Sequence, residues 1–175
     1  MERALAESQV SYAVVRPAIL FGGDGVLINN IAWLLRRLPV FGVGGHGDYR
    51  IRGIHVDDLA QLCLELGRGA DDSVIDAVGP ERPTFNELVT SIRDAVGART
   101  RIVHMPGAVV PVLSSVLGLA LGDVLLTKDE YQAMAAGLAD TDGPSTGSTR
   151  LSAWISERGG DLGIHYANEL SRHFT

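Results

Sequence analysis

Val10-Ser-Tyr-Ala-Val-Val-Arg-Pro-Ala-Ile-Leu-Phe-Gly22 decides the reading of this chain. Val10 to Val15 is too uniformly apolar to have one wet face, and such runs suit parallel strands covered on both sides. Arg16-Pro17 ends the strand, and the chain opens into a glycine-containing loop at Gly22. Ser73 to Val78 is a second apolar strand, closed by Gly79-Pro80, and Arg101 to Met105 is a short third one before Pro106. Helical patterns lie between them. Val26 to Leu38 carries Leu27, Ile31, Leu34, Leu35 and Leu38 on one face, and Pro39 stops it. Tyr49 to Val56 is extended, and Asp57 is placed to cap a helix striped by Leu59, Leu62, Cys63 and Leu66. Thr84-Phe-Asn-Glu87 is a capping box whose helix carries Phe85, Leu88, Val89, Ile92 and Val96 and ends at Gly97.

The remainder is mostly helical. Thr127-Lys-Asp-Glu130 is another capping box, and its helix groups Tyr131, Met134, Ala135 and Leu138. Ala139 to Thr149 reads as a loop. Leu151, Trp154 and Ile155 open a short amphipathic helix, and Leu162 to Phe174 is expected to close the chain as a helix with Tyr166 and Leu170 buried. Ala108 to Leu121 is apolar apart from Ser114 and Ser115. It falls short of the roughly 20 residues of a spanning helix. It reads as a buried or partner-facing helix, with membrane-surface contact as a minor alternative. Strands and helices in alternation, followed by helices, make an α/β pattern with an α-rich tail.

A length of 175 residues suits one domain or one and a fraction, and a hydrophobic content of 46% supplies a core. A net charge of −6 argues against nucleic acid as a partner. The short basic groups, Arg36-Arg37 and Arg99 to Arg101, read as solvated surface. The single cysteine, Cys63, excludes an internal disulfide and is expected as a buried, inert thiol. Met1 to Glu7 reads as the tail of a helix and has no signal-peptide pattern, so a cytoplasmic protein is the default. His46, His55, His104, His165 and His173 lack metal-ligand spacing, and no G-x-S-x-G elbow is present. Trp33 and Trp154 sit in helical stripes and read as core.

Gly42-Val-Gly44-Gly-His-Gly47 matches G-x-G-x-x-G. A dinucleotide turn needs a strand leading in and a helix starting at the third glycine, whose amides meet the pyrophosphate. Leu38-Pro39-Val-Phe reads as a poor central strand, and Asp48 to Gly53 alternates like a strand and not like a helix. A flexible surface loop is the expectation.

Arg16-Pro17 with Gly22, His55-Val-Asp-Asp58 and Thr84 to Glu87 resemble the second half of an extended or atypical short-chain dehydrogenase/reductase. That group includes NAD-dependent epimerase/dehydratase-like proteins and complex I accessory-subunit-like proteins. The resemblance is strongest over residues 10–100 and less specific in Leu126 to Glu130 and Leu151 to Trp154. It implies the last strands of a Rossmann-like parallel sheet plus a small α-rich substrate-side subdomain. Residues 1–105 would be the C-terminal part of an NAD(P)-binding domain with substrate-side insertions, and 106–175 an α-helical region. It places Pro17, Ala18, Ile19 and Leu20 on the nicotinamide side of the cleft through backbone contacts. Asn29, Asn30, Arg50 and Arg52 would meet a small-molecule substrate. His55 and Asp57 would hold the strand-to-helix turn.

The family's proton-transfer pair is Tyr-x-x-x-Lys on a helix, the lysine lowering the phenol pKa. Four residues after Tyr12, Tyr49, Tyr131 and Tyr166 stand Arg16, Gly53, Ala135 and Leu170, and Lys128 is the only lysine. No catalytic residue is therefore assigned, and Met1 to Glu7 resembles the end of the helix that would carry the pair. The expected reading is a truncated, substrate-side portion of an NAD(P)-dependent epimerase/dehydratase- or reductase-like protein. It would be inactive alone and bind neither NAD nor NADP by itself; a missing N-terminal half or self-association would supply its partner. The alternative is a non-enzymatic module that docks onto a larger complex through the apolar 108–126 region.

Overall fold

The computed structural model of the chain describes residues 2–8, 10–23, 25–69 and 71–168. A short helix, α1 (Glu2–Ala6), precedes strands β1 (Ala13–Pro17) and β2 (Ile19–Phe21). Helix α2 (Val26–Arg37), strands β3 (Val40–Gly44) and β4 (Gly53–His55) and helix α3 (Val56–Leu66) follow. Next come β5 (Ser73–Ala77), α4 (Phe85–Ala95) and β6 (Arg101–Met105), and then helices α5 (Val109–Leu121), α6 (Lys128–Ala135) and α7 (Leu151–Arg158). The α/β expectation holds.

Every ladder among the described residues is parallel, and each has two strands: β1 with β5, β2 with β4, β3 with β6. Parallel pairing needs long crossovers, and the helices supply them. The first strand starts later than its apolar run suggests. Asp72 and Ser73 fix its register, because the Tyr12 amide donates to Asp72 Oδ1 (3.1 Å) and the Ser73 amide donates to the Tyr12 carbonyl (3.0 Å). Ala13 then pairs with Ser73 and Pro17 with Ala77. The strand was expected to be covered on both sides, yet none of its residues is buried. Its only partner strand among the described residues is β5.

The main core lies elsewhere. Ile28, Ile31, Ala32 and Leu35 of α2 pack with Phe85, Leu88, Val89 and Ile92 of α4 and with Leu151 and Ile155 of α7. This one cluster joins residues from Phe21 to Leu162. The capping box of α4 forms as its sequence predicts: the Glu87 amide donates to Thr84 Oγ1 (3.1 Å) and the Thr84 amide to Glu87 Oε2 (2.8 Å). The α6 box forms in the same way. Helix α7 has no cap of its own, and Glu81 supplies one from outside, accepting from the Ser152 amide (2.8 Å) and hydroxyl (2.7 Å).

Four local expectations change. The cap of α3 is His55, whose Nδ1 accepts from the Asp57 amide (3.2 Å), while the Asp57 side chain is 88% exposed. Cys63 is exposed, because no residue of α3 is buried. Val40 to Gly44 forms a full strand, since β6 pairs with it along its whole length. Residues 162–168 are turns and irregular chain, not helix, because α2 side chains take up their backbone groups; residues 169–174 of that expected helix lie outside the described residues.

Candidate functional site

A cavity of about 580 Å³ opens where β2, α2, β3, α5 and α6 converge. That volume falls in the range of small-molecule sites, roughly 300–1,000 Å³. Ala18, Ile19 and Leu20 form one wall, and Val26, Leu27, Asn30, Ile31 and Leu34 of α2 form the next. Helix α5 contributes Val110, Leu113, Ser114 and Leu117, an i, i+3, i+4, i+7 face. The end of the pocket is aromatic. Tyr49 stacks on Phe85 with centroids 5.3 Å apart, and Tyr131 meets Tyr49 edge-on at 6.3 Å. Burial pushes the Tyr49 phenol well above its ordinary value, with Tyr131 adding to the effect, so Tyr49 stays a neutral phenol.

The glycines of the 42–47 segment serve this wall. A β-carbon on Gly44 would overlap the Tyr131 ring, and one on Gly42 would overlap the Met105 side chain. Gly45 and Gly47 have φ of 63° and 70° and turn the chain after β3. Beyond them comes an antiparallel bridge between Arg50 and Thr84, not a helix. The segment does not fit a pyrophosphate: no helix N-terminus follows the third glycine, and Tyr131 fills the space at the second. It is nevertheless more ordered than a flexible loop, because β6 and α4 hold it. Gly45 donates to the Met105 carbonyl (2.8 Å), and the Asn86 amide donates to the Gly47 carbonyl (3.1 Å).

The residues singled out from the sequence separate into two groups. Ala18, Ile19, Leu20 and Asn30 line the cavity; Pro17, Asn29, Arg50 and Arg52 do not. The two asparagines hold the chain's own later segment. Asn30 donates to the Ala167 carbonyl (2.9 Å) and accepts from the Ala167 amide (3.0 Å). Asn29 donates to the His165 carbonyl (2.9 Å) and accepts from the Gly163 amide (3.0 Å). Farther along α2, Arg36 donates to the Leu162 and Gly159 carbonyls (both 2.8 Å) and Arg37 to those of Gly163 (3.0 Å) and Ile164 (2.9 Å). The expected solvated basic pair is thus a backbone clamp. The Arg37 guanidinium also lies 4.4 Å above the Trp33 ring, which meets Tyr166 edge-on at 5.2 Å.

Arg52 is buried and donates to the carbonyls of Gly79 (3.0 Å), Thr141 (2.8 Å) and Gly143 (2.6 Å). It fixes the 139–149 loop to the end of β5. Arg50 is exposed and donates to the Arg82 carbonyl (2.7 Å). Asp58 fixes the other end of that loop, accepting from the amides of Ser148 (2.9 Å) and Thr149 (2.8 Å). His55 lies edge-on to Phe21 at 5.3 Å, so it packs as well as caps.

No protein-family model matches this sequence, and no curated protein does. Among solved structures, a triphenylmethane reductase from Citrobacter sp. superposes with a TM-score of 0.71 at 14% identity, covering 92% of this chain and 57% of that one. The fold is Rossmann-like α/β. A nucleoside-diphosphate-sugar epimerase from Staphylococcus aureus gives a TM-score of 0.61 at 18% identity over 89% of this chain and 55% of its own. A dTDP-4-dehydrorhamnose reductase from Bacillus anthracis, solved in complex with NADP, gives 0.51 at 15% identity over 60% of this chain and 37% of its own. The chain therefore spans between about a third and three-fifths of the length of these proteins. At such identities the likeness establishes the fold and not the reaction.

The aromatic end and the α5 face were not foreseen. Tyr49 gave no periodic signal. Apart from Ser114 and Ser115, helix α5 is apolar on every side, so periodicity could not separate its cavity side from its outer side.

Proposed function

We propose that this chain is the C-terminal, substrate-side portion of an NAD(P)-dependent epimerase- or reductase-like protein. The observation that carries the reading is the likeness to the Citrobacter reductase over 92% of this chain but only 57% of the reductase. The cavity against Ala18–Leu20 is then the substrate side of the cleft, with those residues facing a nicotinamide. The cofactor's phosphates and the proton-transferring pair belong to the part of the fold that this chain does not span. In support, the sequence has no Tyr-x-x-x-Lys, and its single G-x-G-x-x-G packs against Tyr131. Mixed with NADH or NADPH and a panel of carbonyl and nucleotide-sugar substrates, the purified chain should show no turnover, and calorimetry should find no sub-millimolar NAD or NADP binding. Turnover that survives removal of host enzymes would overturn the proposal.

A second reading is a non-enzymatic module docking through residues 108–126. One observation favours it: Val112, Val116 and Leu119 form an outer row on α5 and are 64%, 62% and 87% exposed. Replacing all three by glutamate should reduce association through this row while preserving the melt. Unchanged association would remove this reading.

A further inference from the structure

We propose that the cavity takes an uncharged, largely aromatic compound and not a nucleoside-diphosphate sugar. This deepens the proposed function, and rests on it for the statement that the cavity faces the substrate.

The lining carries the argument. Among the described residues around the cavity there is no lysine, arginine, histidine or aspartate. Its one ionisable carboxylate, Glu130, closes the α6 capping box, where its Oε2 accepts from the Thr127 amide and hydroxyl (both 2.8 Å). A diphosphate needs paired cations or forked guanidinium donors. Arg36 and Arg37 hold the 159–164 backbone, Arg52 holds three loop carbonyls, and Arg50, though exposed beside Tyr49, donates to the Arg82 carbonyl and does not line the cavity. Releasing Arg52 to meet an anion would leave the buried Gly79 carbonyl and two half-buried carbonyls without this donor, which costs more than a surface contact returns.

The positive features point the same way. Tyr49, Phe85 and Tyr131 offer stacked and edge-on ring surfaces at one end, and the Met105 and Met134 thioethers adapt to irregular apolar shapes. Hydroxyls on Ser114, Tyr49 and Tyr131 are neutral polar groups, suited to orienting a carbonyl or ether oxygen and not to neutralising charge. The cavity reaches from this aromatic end to Ala18–Leu20, so one elongated apolar ligand could contact both.

The test is a titration of the full chain, read by amide NMR, with 2-acetonaphthone and separately with UDP-glucose. Two variants narrow the cavity at exposed lining positions, Ala18→Trp and Leu113→Trp, and a thermal melt checks that each folds. The expected result is saturable binding of the ketone, weakened about tenfold by either variant, and no saturable response to UDP-glucose. Saturable UDP-glucose binding with a silent ketone would overturn this inference and leave the epimerase-like reading standing. Binding of neither ligand would also overturn it. Ketone binding accompanied by NADPH-dependent turnover in the chain alone would overturn the proposed function and leave the ligand class intact.

Discussion

Gly44 faces Tyr131 so closely that no side chain can be placed between them: a β-carbon on the glycine would overlap the phenol ring. The ring also crowds Gly107 on its other side. Gly44→Val should therefore destabilise the chain by about 1–3 kcal/mol, the usual cost of overpacking. In a Tyr131→Ala background the same substitution should cost clearly less, because the two residues are directly coupled. Chemical denaturation of the four proteins in the cycle checks this. Additive effects would separate the two residues.

Asn30 makes a two-way amide contact with Ala167 from inside the α2–cavity wall. Asn30→Leu keeps the bulk but strands one amide and one carbonyl. A loss of about 1–3 kcal/mol is expected, with hydrogen exchange accelerating first over residues 163–167. Unchanged protection there would show that the Arg36 and Arg37 contacts hold the segment alone.

Stability should fall on acidification through two carboxylates. Burial pushes Asp58 up, but hydrogen bonds from Thr149 and Ser148 outweigh it and hold the carboxyl below its ordinary value. The Arg82 guanidinium, 2.6 and 2.9 Å away, holds Asp140 below its own, against the opposing effect of burial. Below their unfolded pKa values the unfolded chain binds more protons than the folded one, so stability rises with pH in that window. Their contribution is complete above about pH 4–5 and is lost as pH falls through the lowered folded values. Melting temperatures between pH 7 and pH 2.5 should show this drop, and Asp58→Asn should make it shallower. A flat profile in the wild-type chain would contradict the assignment.

The β1–β5 ladder leaves both outer edges without a strand among the described residues, and no β1 residue is buried. Unpaired parallel edges with apolar side chains template association. Light scattering should show mass rising with concentration, and Val14→Lys should reduce it. A strictly monomeric species with a sharp, high melt would show that this ladder is adequately protected as it stands.

The sequence was most legible where local chemistry decides structure. The Thr84 and Thr127 capping boxes, the α4 stripe and the loop over 139–149 all form as read, whereas the α2 stripe divides: Ile31 and Leu35 are buried with Ile28 and Ala32, and Leu27, Leu34 and Leu38 are half-buried against the cavity. It was misleading where tertiary contacts override local pattern. The apolar β1 run implied cover on both sides, yet Val14 and Val15 are only half-buried and the rest of the strand is exposed. Leu162 onward looked helical, yet Asn29, Asn30, Arg36 and Arg37 hold residues 162–167 as turns and irregular chain by taking their backbone groups. Of the eight residues that the family resemblance marks, Ala18, Ile19, Leu20 and Asn30 line the cavity, and Pro17, Asn29, Arg50 and Arg52 do not. Tyr49, Phe85 and Tyr131 were not legible, since three separate elements bring them together.

We propose that Ala18–Leu20 faces a nicotinamide while the rest of the dinucleotide site belongs to a part of the fold this chain does not span. Amide NMR of the full chain titrated with nicotinamide mononucleotide, and separately with AMP, tests it most directly. Weak, millimolar-range shifts confined to residues 18–20 and neighbouring cavity amides are expected with nicotinamide mononucleotide, and none with AMP. Shifts with AMP at Gly42–Gly47, or silence at residues 18–20 with nicotinamide mononucleotide, would contradict it.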